Sequence, residues 1–170
     1  MNNPFGIVFA HQLALMIETG LLTYKQYIPF CDEIIENMDT PPYLMIELAV
    51  IRDAEEARNR IYEYIADEAD ENFLEARYQL YAACLYVKYE RQLPSSPQAW
   101  SVFLMEMAHY ADAYQMLAHH CSYYYGLLDT YERSNDAKRL ELRQSQEIRN
   151  EFASEIIQVE QWYEPFKRYE

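Results

Sequence analysis

Glu106 and His109 are the two residues of this sequence best spaced for chemistry. Residues three apart on a helix share a face. A Glu-x-x-His pair on one face holds metal in carboxylate-bridged di-iron bundles, which also need a second such pair and two further carboxylates. Met116, Leu117 and Val8 stand three residues before His119, His120 and His11, so none of these histidines completes a second pair. The spacing predicts that Glu106 and His109 form a salt-bridged or hydrogen-bonded pair. It leaves a metal-dependent helical-bundle enzyme, built on Glu106 and His109, as an alternative reading.

His119, His120, Cys121 and Asp112 are zinc-ligand types. Consecutive helical side chains diverge by about 100°, so the two histidines do not face one ion. The three cysteines, Cys31, Cys84 and Cys121, are widely spaced and form no Cys-x-x-Cys pair. A nucleophilic thiolate needs an electropositive setting, and an acidic chain offers none. Buried thiols in a reducing cytoplasm are the expectation. There is no G-x-S-x-G elbow, no P-loop and no Gly-rich dinucleotide turn. The sequence therefore assigns no catalytic residue, no metal and no cofactor.

Charge is the stronger signal. The chain carries 28 Asp and Glu against 14 Lys and Arg, a formal net charge of -14. Residues 1–85 hold 15 acids and 5 bases, so the excess is concentrated in that half. Between Asp53 and Glu75 stand nine acids, with Arg58 and Arg60 the bases among them. A pair such as Glu56 with Arg60 would neutralise part of the stretch. The stretch reads either as a solvated helix face carrying such pairs or as a docking face for a basic protein, because a field of one sign speeds encounter and adds specificity. The candidate contacts are Glu63, Asp67, Asp70 and Glu71, with Tyr62, Tyr64 and Tyr124 supplying aromatic area. Tyr123, Tyr124 and Tyr125 must point in three directions, so at least one is expected at the surface. A net-negative chain repels phosphates, which argues against nucleic acid as a direct ligand.

These residues have to be carried by helices. Hydrophobic residues make up 51% of the 170 and glycines number only 3, a composition that builds a core without β-turns. One domain spanning residues 1–170 is expected. The apolar run from Phe5 to Ile17 contains His11 and Gln12 and is too short to span a membrane. It reads as a core helix, from about Pro4 to Thr19, stopped by Gly20. The N-terminus lacks a basic segment, so no signal peptide is expected.

Thr23 and Gln26 form a capping-box pattern that opens a second helix. A break is expected at Pro29, with the helix continuing to Met38. Pro41 and Pro42 precede a short core helix from Tyr43 to Ile51. Asp53 with Glu56 and Asn72 with Glu75 open two more, to about Asp67 and Glu90. Ser96 and Pro97 start a long sixth helix, on which Trp100, Phe103, Leu104, Met107, Ala111, Tyr114, Leu117 and Cys121 recur at spacings of three and four. It is expected to end between Tyr125 and Tyr131. A seventh, from Ser134 or Asn135 to Pro165, carries Ile148, Phe152, Ile156, Val159 and Tyr163 at the same spacing. The prediction is an all-α, single-domain bundle of six to seven helices. Its long sixth or seventh helix offers a surface for a homodimer.

The segment Tyr27-Ile-Pro-Phe-Cys-Asp-Glu-Ile-Ile-Glu-Asn-Met-Asp-Thr-Pro-Pro-Tyr-Leu-Met-Ile-Glu-Leu-Ala resembles a pattern in small, acidic, all-helical bacterial immunity proteins of polymorphic toxin systems. The likeness lies in Phe30, Asp32, Ile34, Ile35, Asp39, Pro41, Pro42, Ile46, Glu47 and Leu48. It covers 23 of the 170 residues. These positions imply a helix–turn–helix packing unit, not a binding site. The resemblance implies a cytoplasmic protein that neutralises a basic toxin effector, such as a nuclease, by covering its cationic site with acids and tyrosines. A helical adaptor with a peptide groove is the third reading.

Overall fold

Each apolar stripe needs another helix to cover it, since no strand is expected to do so. The computed structural model describes residues 4–66, 76–113 and 118–170. The described residues form nine α-helices and no strand. They are α1 (Ile7–Glu18), α2 (Tyr24–Asn37), α3 (Tyr43–Leu48), α4 (Ala54–Ile65) and α5 (Arg77–Gln92). Then come α6 (Ala99–Ala113), α7 (Ala118–Glu132), α8 (Ala137–Glu151) and α9 (Ala153–Tyr163), with a closing 3-10 helix over Glu164–Tyr169. The fold is all-α, and its helices outnumber the six to seven expected.

The capping and stop signals near the N-terminus act as expected. Gly20 ends α1 with a φ of 75°, a left-handed conformation that costs glycine little. The Thr23 N–H and Oγ1 donate to Gln26 Oε1 (3.0 and 2.6 Å) at the start of α2. Asp53 Oδ1 accepts the Glu56 N–H (2.8 Å) and caps α4. Pro29 does not break α2, which runs through it from Tyr24 to Asn37. Its missing N–H frees the carbonyl of exposed Lys25, while buried Tyr27, Phe30 and Cys31 hold the helix to the core.

Two differences follow from tertiary packing. The long sixth helix is two helices lying side by side, α6 and α7. The His109 and Tyr125 rings are 6.4 Å apart between centroids. Sixteen residues along one continuous helix would span about 24 Å. The seventh is also two, because backbone at Phe152 (φ -106°, ψ 23°) leaves the helical region between α8 and α9. Ile148, Phe152, Ile156, Val159 and Tyr163 nevertheless remain one buried stripe.

The core gathers Leu13, Met16 and Ile17 of α1, Tyr27 of α2, Leu44 of α3 and Ile61 of α4 with Cys84, Trp100 and Phe103. Trp100 Nε1 donates to buried Gln144 Oε1 (2.9 Å), which ties α6 to α8. The third helix ends at Leu48, short of the expected Ile51; Leu44 and Leu48 on it are buried and Ile46 is exposed, while beyond it Ile51 is buried and Val50 exposed. A six-residue helix turns one side to the core, so an apolar residue on its other side meets water. The 3-10 helix returns the chain to α2: Phe166 is fully buried 4.5 Å from the Phe30 ring, and Tyr169 and Arg168 both reach Glu33.

Candidate functional site

The acidic face is built on α4, and the contacts of its two arginines, Arg58 and Arg60, define its charge. Arg58 Nη1 lies 3.9 Å from Glu18 Oε1 of α1. Arg77 Nη2 of α5 donates to Glu18 Oε2 at 2.6 Å, and the Tyr62 hydroxyl donates to the same oxygen at 3.1 Å. Burial alone would lower the Arg77 guanidinium, but Glu18 and Tyr62 hold it above its ordinary range. Arg60 sits 3.4 Å from Glu47 of α3 and 3.4 Å from Glu63. The expected Glu56–Arg60 pair therefore does not form, because Glu47 on the neighbouring helix and Glu63 take the guanidinium.

Arg58 is drawn to α1 and Arg60 bridges Glu47 of α3 and Glu63, so the acids that α4 presents outward are only partly compensated. Glu55, Glu56, Asn59 and Glu63 recur at helical spacing on one exposed side. Glu55 and Glu56 form no ion pair with a described residue. Tyr64 stands beside them, 41% exposed.

The structure separates the other candidates. Glu63 and Tyr64 are at the surface as expected. Tyr62 is half-buried, and its hydroxyl serves the Glu18 cluster instead of a partner. Asp67, Asp70 and Glu71 lie outside the described residues. Tyr124 is a correction: it is 0% exposed, and its hydroxyl meets that of Tyr78 at 2.7 Å. Burial, then the Tyr78 hydrogen bond, pushes its phenol up. Of the three adjacent tyrosines, Tyr123 and Tyr125 are the exposed ones.

Glu106 accepts from Lys88 Nζ (3.3 Å), which also donates to the Thr19 carbonyl (3.0 Å). His109 is exposed beside Tyr125. His120 turns to the Tyr78 hydroxyl at 3.4 Å. Among the described residues no group of three or more His, Cys, Asp or Glu is placed to hold a metal ion. Burial pushes the Cys31 thiol up to about 12 and raises Cys84 as well. Cys121 is half-buried, not buried as expected, and desolvation together with Asp112 raises it. No described helix is long and apolar enough to cross a membrane.

Comparison of the chain with protein-family models, curated proteins and solved structures finds no match.

Sequence reasoning missed one concave feature. A cleft of about 940 Å³ lies between the end of α5, the 93–97 loop and α8. Tyr86 and Tyr89 line it with Leu93, Leu142 and Tyr131. Glu141 accepts the Tyr89 hydroxyl at 2.7 Å and the Tyr131 hydroxyl at 3.4 Å. Arg149 is paired with Glu90. No sequence pattern announces this cleft, because its walls come from helices some fifty residues apart.

Proposed function

We propose that this chain is an immunity-type inhibitor that acts in the cytoplasm and neutralises a basic toxin effector, a nuclease, by covering its cationic site. One observation carries the reading: Arg58 is turned onto Glu18 and Arg60 is shared between Glu47 and Glu63, so Glu55 and Glu56 on the outward side of α4 keep their charge uncompensated by a described base. A cationic nuclease site is built to receive phosphates, and carboxylates on a rigid helix occupy the same ground. A field of one sign also raises the association rate and makes it salt-dependent. Tyr64 supplies the aromatic contact next to Glu63. The likeness of the α2–α3 unit to immunity proteins supports the same conclusion.

The test is affinity capture from the native host at low and at moderate salt, with captured proteins identified by mass spectrometry. A single basic partner, weakened by salt, is the expected result. Absence of any partner at both salts would overturn the inhibitor reading.

A further inference from the structure

We propose that α3 supplies the apolar centre of the docking face whose acids stand on α4, and that the protein it fits presents an apolar patch framed by lysine and arginine. The inference rests on the reading of α4 as the contact with a basic partner and extends that contact to a second helix. An interface of standard size covers about 800 Å² on each partner, with apolar groups at its centre and charges at its rim. With 12 residues, α4 offers a strip of about 18 Å by about 10 Å. That strip is too small by itself, and Tyr64 is its one exposed large apolar side chain.

The neighbour that completes it is α3. Leu44, Met45 and Leu48 fill the inner side of this helix and are buried. Tyr43 and Ile46 stand on the outer side, 69% and 44% exposed. Val50 follows just beyond the helix end, 81% exposed, in a turn closed by its N–H on the Glu47 carbonyl (3.4 Å). The spacings of three and four align the three side chains. Val50 and Tyr43 are two of the three most exposed large apolar residues among those described. Single exposed apolar residues are ordinary, whereas a contiguous patch rimmed by polar groups marks an interaction surface. Glu47 of α3 reaches Arg60 of α4 at 3.4 Å, so the strip and the acidic face adjoin.

Charge selects the occupant. Asp39 lies four residues before Tyr43 and Asp53 three residues after Val50, so each is within about 15 Å of the strip along the chain. Residues 39–63 hold six acids and three bases. Arg58 is held by Glu18, and Arg60 lies between Glu47 and Glu63. Arg52 is exposed, but so are Asp39, Asp53, Glu55 and Glu56, and none of these five forms an ion pair with a described residue. The rim is therefore negative after its pairs are counted. It matches a partner's lysines and arginines, while Tyr43, Ile46 and Val50 need an apolar counterpart.

The experiment is isothermal titration of the full chain with an amphipathic helical peptide of leucine and lysine, an oligolysine of equal charge, and a leucine–glutamate peptide. The leucine–lysine peptide is expected to bind about tenfold more tightly than oligolysine, and the leucine–glutamate peptide is expected not to bind. Ile46→Ser/Val50→Ser is expected to remove that margin and to leave oligolysine binding unchanged. Glu55→Gln/Glu56→Gln is expected to weaken both lysine peptides. Leu142→Ser, which removes an exposed apolar side chain of α8, is expected to keep the margin. All of these side chains face solvent, and circular dichroism checks that each variant is folded. Absence of the margin in the wild type would overturn the proposal. So would a margin kept in the α3 variant, a margin lost in Leu142→Ser, or binding of the leucine–glutamate peptide. The titration needs no captured partner: a margin that depends on Ile46 and Val50, together with an empty affinity capture, would overturn the inhibitor reading and leave this docking surface standing.

Discussion

Replacing Glu18 by Ala tests the ion cluster that sets the charge of α4. The carboxylate holds Arg77 at 2.6 Å, the Tyr62 hydroxyl at 3.1 Å and Arg58 at 3.9 Å. The Arg77 and Glu18 side chains are 19% and 18% exposed, so water screens the pair only in part. Breaking a fully buried pair from one side costs about 3–5 kcal/mol, because the partner charge is left uncompensated. Partial exposure reduces that figure, and Arg58 at 3.9 Å adds little. The expected loss is about 2–3 kcal/mol, or a Tm lower by about 4–12 °C for a domain of this size. Urea titration with a double-mutant cycle over Glu18→Ala and Arg77→Ala measures it. The cycle should return a coupling of more than about 1 kcal/mol. A single variant within about 0.5 kcal/mol of wild type, or additive losses, would refute the reasoning.

Two further predictions concern the core. Phe166→Ala empties the contact that holds the C-terminal 3-10 helix on Phe30, and a buried Phe→Ala change costs about 3–5 kcal/mol; an unchanged denaturation midpoint would show that this segment does not contribute to the fold. Cys31 is raised by burial to about 12 from an ordinary thiol value of 9.0. Its contribution is therefore complete below pH 9 and lost as pH rises toward 12. In that window the unfolded chain releases the proton first, with a slope of about 1.4 kcal/mol per pH unit. Denaturation at pH 8 and pH 10 should show a smaller alkaline loss in Cys31→Ala than in wild type, and equal losses would contradict the assignment.

Sequence and structure agree where a signal is local. The Thr23–Gln26 and Asp53–Glu56 caps, and the turn at Gly20, each involve residues within four positions, and each is found in place. They disagree where the outcome is set by distant partners. Between Ala111 and His120 the sequence has no glycine or proline, and its apolar spacing continues unbroken. The packing of α7 against α6 was therefore not legible as a division of one long helix. Tyr124 differs for a related reason. Helical spacing shows that three adjacent tyrosines point three ways, but not which one meets Tyr78. Spacing places Glu56 beside Arg60, whereas Glu47 approaches it from α3 and Glu63 from the next turn. The acidic excess was legible by count; that Arg58 and Arg60 leave Glu55 and Glu56 uncovered is a property of the fold.

The central claim is that the outward acids of α4 form the contact with a basic partner. Its most direct measurement compares the affinity of the captured partner for wild type, for Glu55→Gln/Glu56→Gln/Glu63→Gln, and for Glu132→Gln/Glu151→Gln/Glu160→Gln. Both triple variants replace exposed acids and change net charge equally, so they separate the α4 face from overall charge. Three exposed charge contacts at up to about 1 kcal/mol each predict that the α4 variant binds about tenfold weaker or more, with a shallower salt dependence. The control variant is predicted to stay close to wild type. Equal affinities for all three proteins, or equal losses in the two variants, would contradict the account.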